Sequence, residues 1–206
     1  QRYERWDCAG YLISPPSYVC PDQAGVQWHF EQAALATERP IVLYDVPHRT
    51  GVAIAPDTVA RLVEHGNIVA IKECVKEHFS KLRGLPINVL CGTDEALDDC
   101  LHNGGTGGIL ASAHVCADLL VAVQELIHAD REQDERNLFA SLLPVLRLLF
   151  AAPNPSAIKA MLAFDHAMTD ETRMPITRAS AQLVERLSTA RDRLQDLRAE
   201  FAGAMS

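Results

Sequence analysis

Two residues of this 206-residue chain combine chemistry with position. Lys72 closes the apolar run Ile68–Ile71, and Tyr44 closes the run Ile41–Leu43. If both runs are strands, alternate side chains share a face. Ile68, Ala70 and Lys72 then lie on one face of one strand, and Val42 and Tyr44 on one face of the other. Inward-facing on neighbouring strands, the two tips reach one small cavity. A desolvated lysine amine loses its proton more easily and can attack a carbonyl to form a Schiff base. The iminium makes the adjacent carbon acidic, and the enamine step then needs a proton shuttle, which a tyrosine hydroxyl can supply. The same pattern also fits a lysine that snorkels toward Glu73 or solvent, beside a plain half-buried tyrosine.

Arg49 follows in the stretch "YDVPHRTG", residues 44 to 51. This reads as a loop stiffened by Pro47 and flanked by Thr50 and Gly51. A guanidinium there can clamp a substrate carboxylate through two hydrogen bonds, or pair with a surface acid. His48 reads as a loop histidine outside any mechanism. Asp94 and Glu95 suit the start of a helix. No set of His, Cys, Asp and Glu shows a metal-ligand spacing. No serine sits in a nucleophile-elbow motif.

These residues need a scaffold that brings strand tips together. Five short apolar runs recur: Tyr11 to Ile13, Ile41 to Val46, Ile68 to Lys72, Ile87 to Cys91 and Gly108 to Ser112. Helical patterns separate them, the clearest being "DQAGVQWHFEQAALATE" between Pro21 and Pro40. Strand starts recur about every 19 to 30 residues, the βα repeat of a parallel α/β sheet. The glycine-rich "NGGTGG" precedes a strand, so it is expected to cap a helix and turn the chain, not to cradle a phosphate. A (β/α)8 TIM barrel gathers active residues at the C-terminal strand tips. Five strands do not close one. Three further units before Gln1, roughly 85 residues, would bring the chain to about 290, a normal size for that fold. The opening "QRYERW" reads as the last turns of a helix feeding a strand. The expected domains are the C-terminal part of the barrel over residues 1–116 and C-terminal helices packed on it over 117–206. Those helices are expected near Ala117–Asp130, Glu132–Phe150 interrupted by Pro144, Ser156–Phe164 and Ala179–Phe201.

Composition narrows the partners. The net charge of -8 argues against nucleic acid or an anionic membrane as partner. No apolar stretch is long enough to span a bilayer. None of the six cysteines forms a CxxC pair, which suits a reducing, cytoplasmic setting.

"YDVPHRTG" followed by "IVAIKE" resembles the pyruvate-dependent class I aldolase/N-acetylneuraminate lyase family, and within it the dihydrodipicolinate synthase branch. The likeness runs from about Gln1 to Leu197. "SPPSYVCP", "CGTDE", "GGTGGILASAHV", "APNPSAIKAML" and "TRMPIT" resemble the family's later barrel segments and C-terminal helical motifs. The resemblance implies that Lys72 forms the Schiff base with pyruvate and that Tyr44 is the proton shuttle. It implies that Arg49 holds the carboxylate of L-aspartate 4-semialdehyde, since the Arg-Thr-Gly ending marks the synthase branch. Tyr18 matches a second relay tyrosine contributed across a dimer contact. Gly92 and Ile109 match positions lining the pyruvate pocket. The implied product is 4-hydroxy-tetrahydrodipicolinate, on the route to lysine. The implied assembly is a homodimer or homotetramer, with no metal and no external cofactor. The alternatives are another pyruvate-dependent aldolase acting on a sugar acid or hydroxy keto acid, and a truncated non-catalytic homologue. Four departures from the pattern stand out. The first three barrel strands have no counterpart. Asp45 replaces an asparagine, Ser17 stands where lysine-regulated members carry tyrosine, and the segment from Lys72 to Gly92 is short.

Overall fold

The computed structural model describes residues 6–202. The helical turns expected at the very start of the chain lie in part outside the described residues. The chain divides into two compact units, one up to Ile109 and one from Leu110 onward.

The first unit is a parallel sheet of five strands in sequence order. They are β1 (Tyr11–Ile13), β2 (Ile41–Asp45), β3 (Ile68–Glu73), β4 (Asn88–Cys91) and β5 (Gly107–Gly108). Helices connect them: α1 (Gln23–Leu35), α2 (Pro47–Thr50), α3 (Pro56–Leu62), α4 (Phe79–Leu82) and α5 (Leu97–His102). Two 3₁₀ turns, Lys76–His78 and Asp94–Ala96, lead into α4 and α5. The repeated strand-helix order is the α/β architecture of consecutive barrel units, as expected.

Burial separates the two faces of the sheet. Ile41 and Leu43 of β2, Ile71 of β3, and Val89 and Cys91 of β4 are buried on the face that carries the helices. Val26 and Phe30 of α1, Val59 and Leu62 of α3, and Phe79 and Leu82 of α4 are buried with them. Each of the larger side chains contributes roughly 1.5–3 kcal/mol by leaving water. The other face carries Leu12, Val42, Tyr44, Lys72 and Leu90, all half-buried or exposed.

Local chemistry sets the helix ends. Asp22 caps α1, its side chain accepting from the Gly25 N–H at 2.9 Å. Asn103 closes α5, and Gly104 follows with φ +87°, a left-handed position that glycine adopts without penalty. The glycine-rich stretch is therefore a helix cap and turn. The expected fifth strand is shorter than its sequence suggested. Only Gly107 and Gly108 pair with β4, and α6 begins at Ala113.

The second unit is helical: α6 (Ala113–His128), α7 (Glu132–Leu149), α8 (Ser156–Ala163) and α9 (Ala181–Glu200). Cys116 breaks helical geometry near the start of α6, so regular helix begins at Ala117. Pro144 was expected to interrupt α7, yet the helix runs through it. Leu142, Val145, Leu146 and Leu149 are buried on both sides of the proline, and this packing outweighs the lost backbone bond. Arg198 of α9 donates to Asp118 and to the Val115 carbonyl, tying α9 to α6. Among the described residues, no helix is long and apolar enough to cross a membrane.

Candidate active site

Tyr44 and Lys72 are register partners across the parallel β2–β3 pair. Both side chains sit on the half-open face, and the Lys72 Nζ lies 4.2 Å from the centroid of the Tyr44 ring. Two elements fix this. Parallel pairing sets the two Cα positions opposite each other, and alternation turns both side chains the same way. Hydrogen bonds continue past the strand ends: the Cys74 N–H donates to the Asp45 carbonyl at 3.1 Å, and the Gly92 N–H to the Glu73 carbonyl at 2.8 Å. Leu90 of β4 is the partner of Lys72 on its other side. The ammonium form of Lys72 gains from the ring face.

Gly92 belongs to this site for a steric reason. A Cβ on it would stand 2.5 Å from the Cys74 Sγ, 3.0 Å from the Lys72 Cγ and 3.1 Å from the Glu73 carbonyl oxygen. Only glycine leaves room beside the lysine stem. Ile109 follows β5 and donates its N–H to the Cys91 carbonyl at 2.9 Å, with its side chain 41% exposed.

Arg49 lies on α2, a single helical turn where a loop was expected. Pro47 occupies the first turn and Gly51 the left-handed cap, with the Gly51 N–H donating to the Pro47 carbonyl at 2.8 Å. The turn begins two residues after Asp45, so it presents Arg49 close in sequence to the Tyr44 tip. Arg49 is exposed and makes no ion pair among the described residues. The following segment is pinned by Gln23, which donates to the Ala53 carbonyl at 2.8 Å and accepts from the Ala55 N–H at 2.9 Å. Tyr18 is not brought to Lys72 within this chain. It sits on a turn with φ +74°, and its side chain is 97% exposed.

Behind the sheet lies a polar group that the sequence patterns did not reveal. Asp45 and Glu73 follow Tyr44 and Lys72, so alternation turns both to the helix-facing side, where both are fully buried. Glu73 therefore points away from Lys72, and the alternative in which the two pair is excluded by the pleat. The Asp45 Oδ1 accepts from the Ile54 N–H at 3.1 Å, and the Glu73 Oε1 from the Val75 N–H at 2.6 Å. Their remaining oxygens face His78: its Nδ1 lies 3.1 Å from the Glu73 Oε2 and 3.5 Å from the Asp45 Oδ2. Burial pushes the Glu73 carboxyl up to about 9, and the Asp45 charge adds to this. Burial likewise raises Asp45 to about 6. His78 is shifted down by burial, then by the charge of Lys81. Of the described residues, these three form the group whose donor atoms converge, within 4.8 Å of one another.

Five consecutive parallel βα units with polar side chains gathered at the C-terminal strand tips are the arrangement of part of a (β/α)8 barrel. The chain belongs to the dihydrodipicolinate synthetase family, whose family model matches residues 1–192. It is 37% identical to the 4-hydroxy-tetrahydrodipicolinate synthase of Limosilactobacillus fermentum, a match covering 87% of this chain and 59% of that one. The Thermosynechococcus vestitus enzyme of the same name is 36% identical over 90% of this chain and 64% of its own. Of solved structures, the 4-hydroxy-tetrahydrodipicolinate synthase of Methylacidiphilum fumariolicum superposes with a TM-score of 0.91 at 31% identity. That match covers 98% of this chain and 70% of that one. The Acinetobacter baumannii dihydrodipicolinate synthase complexed with pyruvate superposes at 0.84 with 30% identity, over 92% of this chain and 67% of that one. The chain spans about three fifths of the length of the first curated relatives it matches.

Proposed function

We propose that the protein condenses pyruvate with L-aspartate 4-semialdehyde to give 4-hydroxy-tetrahydrodipicolinate. The observation that carries this is the Lys72 amine held 4.2 Å from the Tyr44 ring centroid at the tips of paired strands. Lys72 attacks the pyruvate carbonyl and water leaves, giving an iminium. Loss of a methyl proton through the Tyr44 hydroxyl gives the enamine, whose carbon attacks the aldehyde of the second substrate. That substrate's amine then closes on the imine carbon and expels Lys72. No step is an oxidation or a reduction, so the chemistry itself calls for no redox carrier.

Arg49, exposed and without an acidic partner among the described residues, is the group for the semialdehyde carboxylate. Gly92 leaves space for the iminium beside the lysine stem, and Ile109 is assigned to the apolar wall. Tyr18, almost free of neighbours in its own chain, is assigned to the proton relay of a second subunit in a homodimer or homotetramer. All six cysteines are free thiols, which suits the cytoplasm.

Product formation from pyruvate, with L-aspartate 4-semialdehyde compared against sugar-derived aldehydes, tests the acceptor. Turnover of the semialdehyde at a higher kcat/KM than any sugar aldehyde supports the reading. A preference for a sugar aldehyde overturns it in favour of another aldolase of the family.

A further inference from the structure

We infer that Asp45 and Glu73 hold one proton between them, and that this shared proton, with His78, locks the ends of β2 and β3 in the register that seats Lys72 against Tyr44. The inference rests on the Schiff-base reading for its functional consequence, though not for the proton itself.

The argument begins with charge. Two carboxylates that are both fully buried and converge on one imidazole nitrogen cannot both stay ionised without a compensating positive charge. His78 does not supply it, because burial and Lys81 disfavour its protonation; Glu77 opposes them more weakly. Cys74 is the adjoining thiol, and burial raises it to about 11, so it stays neutral. Cys91, the β4 partner of Glu73, is shifted up by its contact with Cys100 and by burial. The positive charge that bears on this group is that of Lys81, and it acts on His78; the shifts of Asp45 and Glu73 are set by burial, by each other and by backbone N–H groups.

A second observation points the same way. Among the described residues the Asp45 Oδ2 is a buried oxygen that accepts no hydrogen bond from any fixed donor, although the Asp45 Oδ1 is satisfied by the Ile54 N–H. A neutral Glu73 supplies the missing donor. Its Oε1 accepts from the Val75 N–H and its Oε2 accepts from a neutral His78 at Nδ1. The hydroxyl proton is then left for Asp45. The pair thus carries one negative charge and one proton, and the proton belongs to the pair.

The geometric consequence follows from the register. Asp45 and Glu73 are partners across β2–β3, one residue beyond Tyr44 and Lys72. A hydrogen bond between them staples the strand ends from the back, while Tyr44 and Lys72 meet at the front. Asp45 and Glu73 are thus positioning residues. Neither touches substrate.

Infrared spectroscopy of the natural full chain tests the proton directly. The parent is expected to show the band of a buried protonated carboxyl at neutral pH. Glu73→Gln should lose it. Asp45→Asn should shift its frequency instead, because burial still holds Glu73 neutral while its hydroxyl now faces an amide. Borohydride trapping of pyruvate on Lys72 tests the consequence. Asp45→Ala should slow trapping roughly 10- to 100-fold through misplacement of the pair, and Asp45→Asn should recover most of that loss. A band unmoved in frequency in Asp45→Asn overturns the shared proton. So does a stoichiometric divalent cation in the purified parent that is lost in Asp45→Asn, since a cation would then balance the charge. Equal trapping in the Ala and Asn variants overturns the positioning role. If the parent itself traps no pyruvate, the Schiff-base reading fails while the infrared result still decides the proton.

Discussion

Tyr44 and Lys72 stand opposite each other across β2 and β3, with the lysine Nζ 4.2 Å from the tyrosine ring centroid. The pair joins an amine that can form a covalent adduct to a hydroxyl that can move its proton. The two roles are separable by mutation.

Tyr44→Phe keeps the ring beneath the amine and removes only the hydroxyl. Pyruvate trapping on Lys72 is expected to persist, while turnover with the aldehyde falls roughly 10²–10⁴-fold. Steady-state kinetics beside trapping yields checks this. Unchanged turnover would remove the shuttle role from Tyr44.

Arg49→Ala is expected to leave pyruvate trapping largely intact and to depress kcat/KM for aspartate semialdehyde. The loss of one charge-assisted, bidentate contact corresponds to about 1.5–3 kcal/mol, or roughly 10- to 150-fold. An unchanged kcat/KM for the semialdehyde would point to a different acceptor.

Gly92→Ala places a methyl 2.5 Å from the Cys74 Sγ and 3.0 Å from the Lys72 Cγ. A cost of about 1–3 kcal/mol is expected, read as a lower Tm, with slower trapping at Lys72. Adding Cys74→Ala should restore part of the Tm, because it removes the nearest clash. Gly66→Ala, with nothing within 4 Å of its added Cβ, is the control and should leave Tm nearly unchanged.

The pleat explains which parts of this site were legible in the sequence. Tyr44 and Lys72 each closed an apolar run one βα repeat apart, so a shared rim was legible; their exact apposition also needs the register shift between Ile41 and Val42, which spacing does not show. Arg49 was raised from its own loop with two readings open, and Gly92 only through a family motif; the steric need at Gly92 is visible only with Cys74 and Lys72 in place. The group of Asp45, Glu73 and His78 was missed. An acid at the end of a strand looks the same whether it faces solvent or helices, and His78 comes from a 3₁₀ turn that leaves no periodic trace. The fifth strand was overdrawn for a similar reason: Ile109 and Leu110 look strand-like, but the strand ends at Gly108, with one further bond from the Ile109 N–H to the Cys91 carbonyl. Pro144 misled in the other direction, since local propensity does not register the packing around α7.

The buried acids also predict a pH dependence of stability. Glu73 is raised from 4.5 to about 9 and Asp45 from 3.8 to about 6 in the folded chain. Between the unfolded and folded values the folded state binds more protons than the unfolded one. The contribution of these groups is therefore fully present below about pH 4 and is lost as pH rises through 6 and then 9. Glu73→Gln should flatten the decline in Tm between pH 6 and 9, as measured by calorimetry across a buffer series. A parallel decline in parent and variant would show that Glu73 does not titrate in that window.

The most direct measurement of the central claim is reductive trapping. Pyruvate and borohydride are added to the natural full chain, and the modified peptide is located by mass spectrometry. One reduced pyruvate adduct on Lys72, absent from Lys72→Ala, is the predicted result. No adduct, or an equal adduct in Lys72→Ala, would contradict the account.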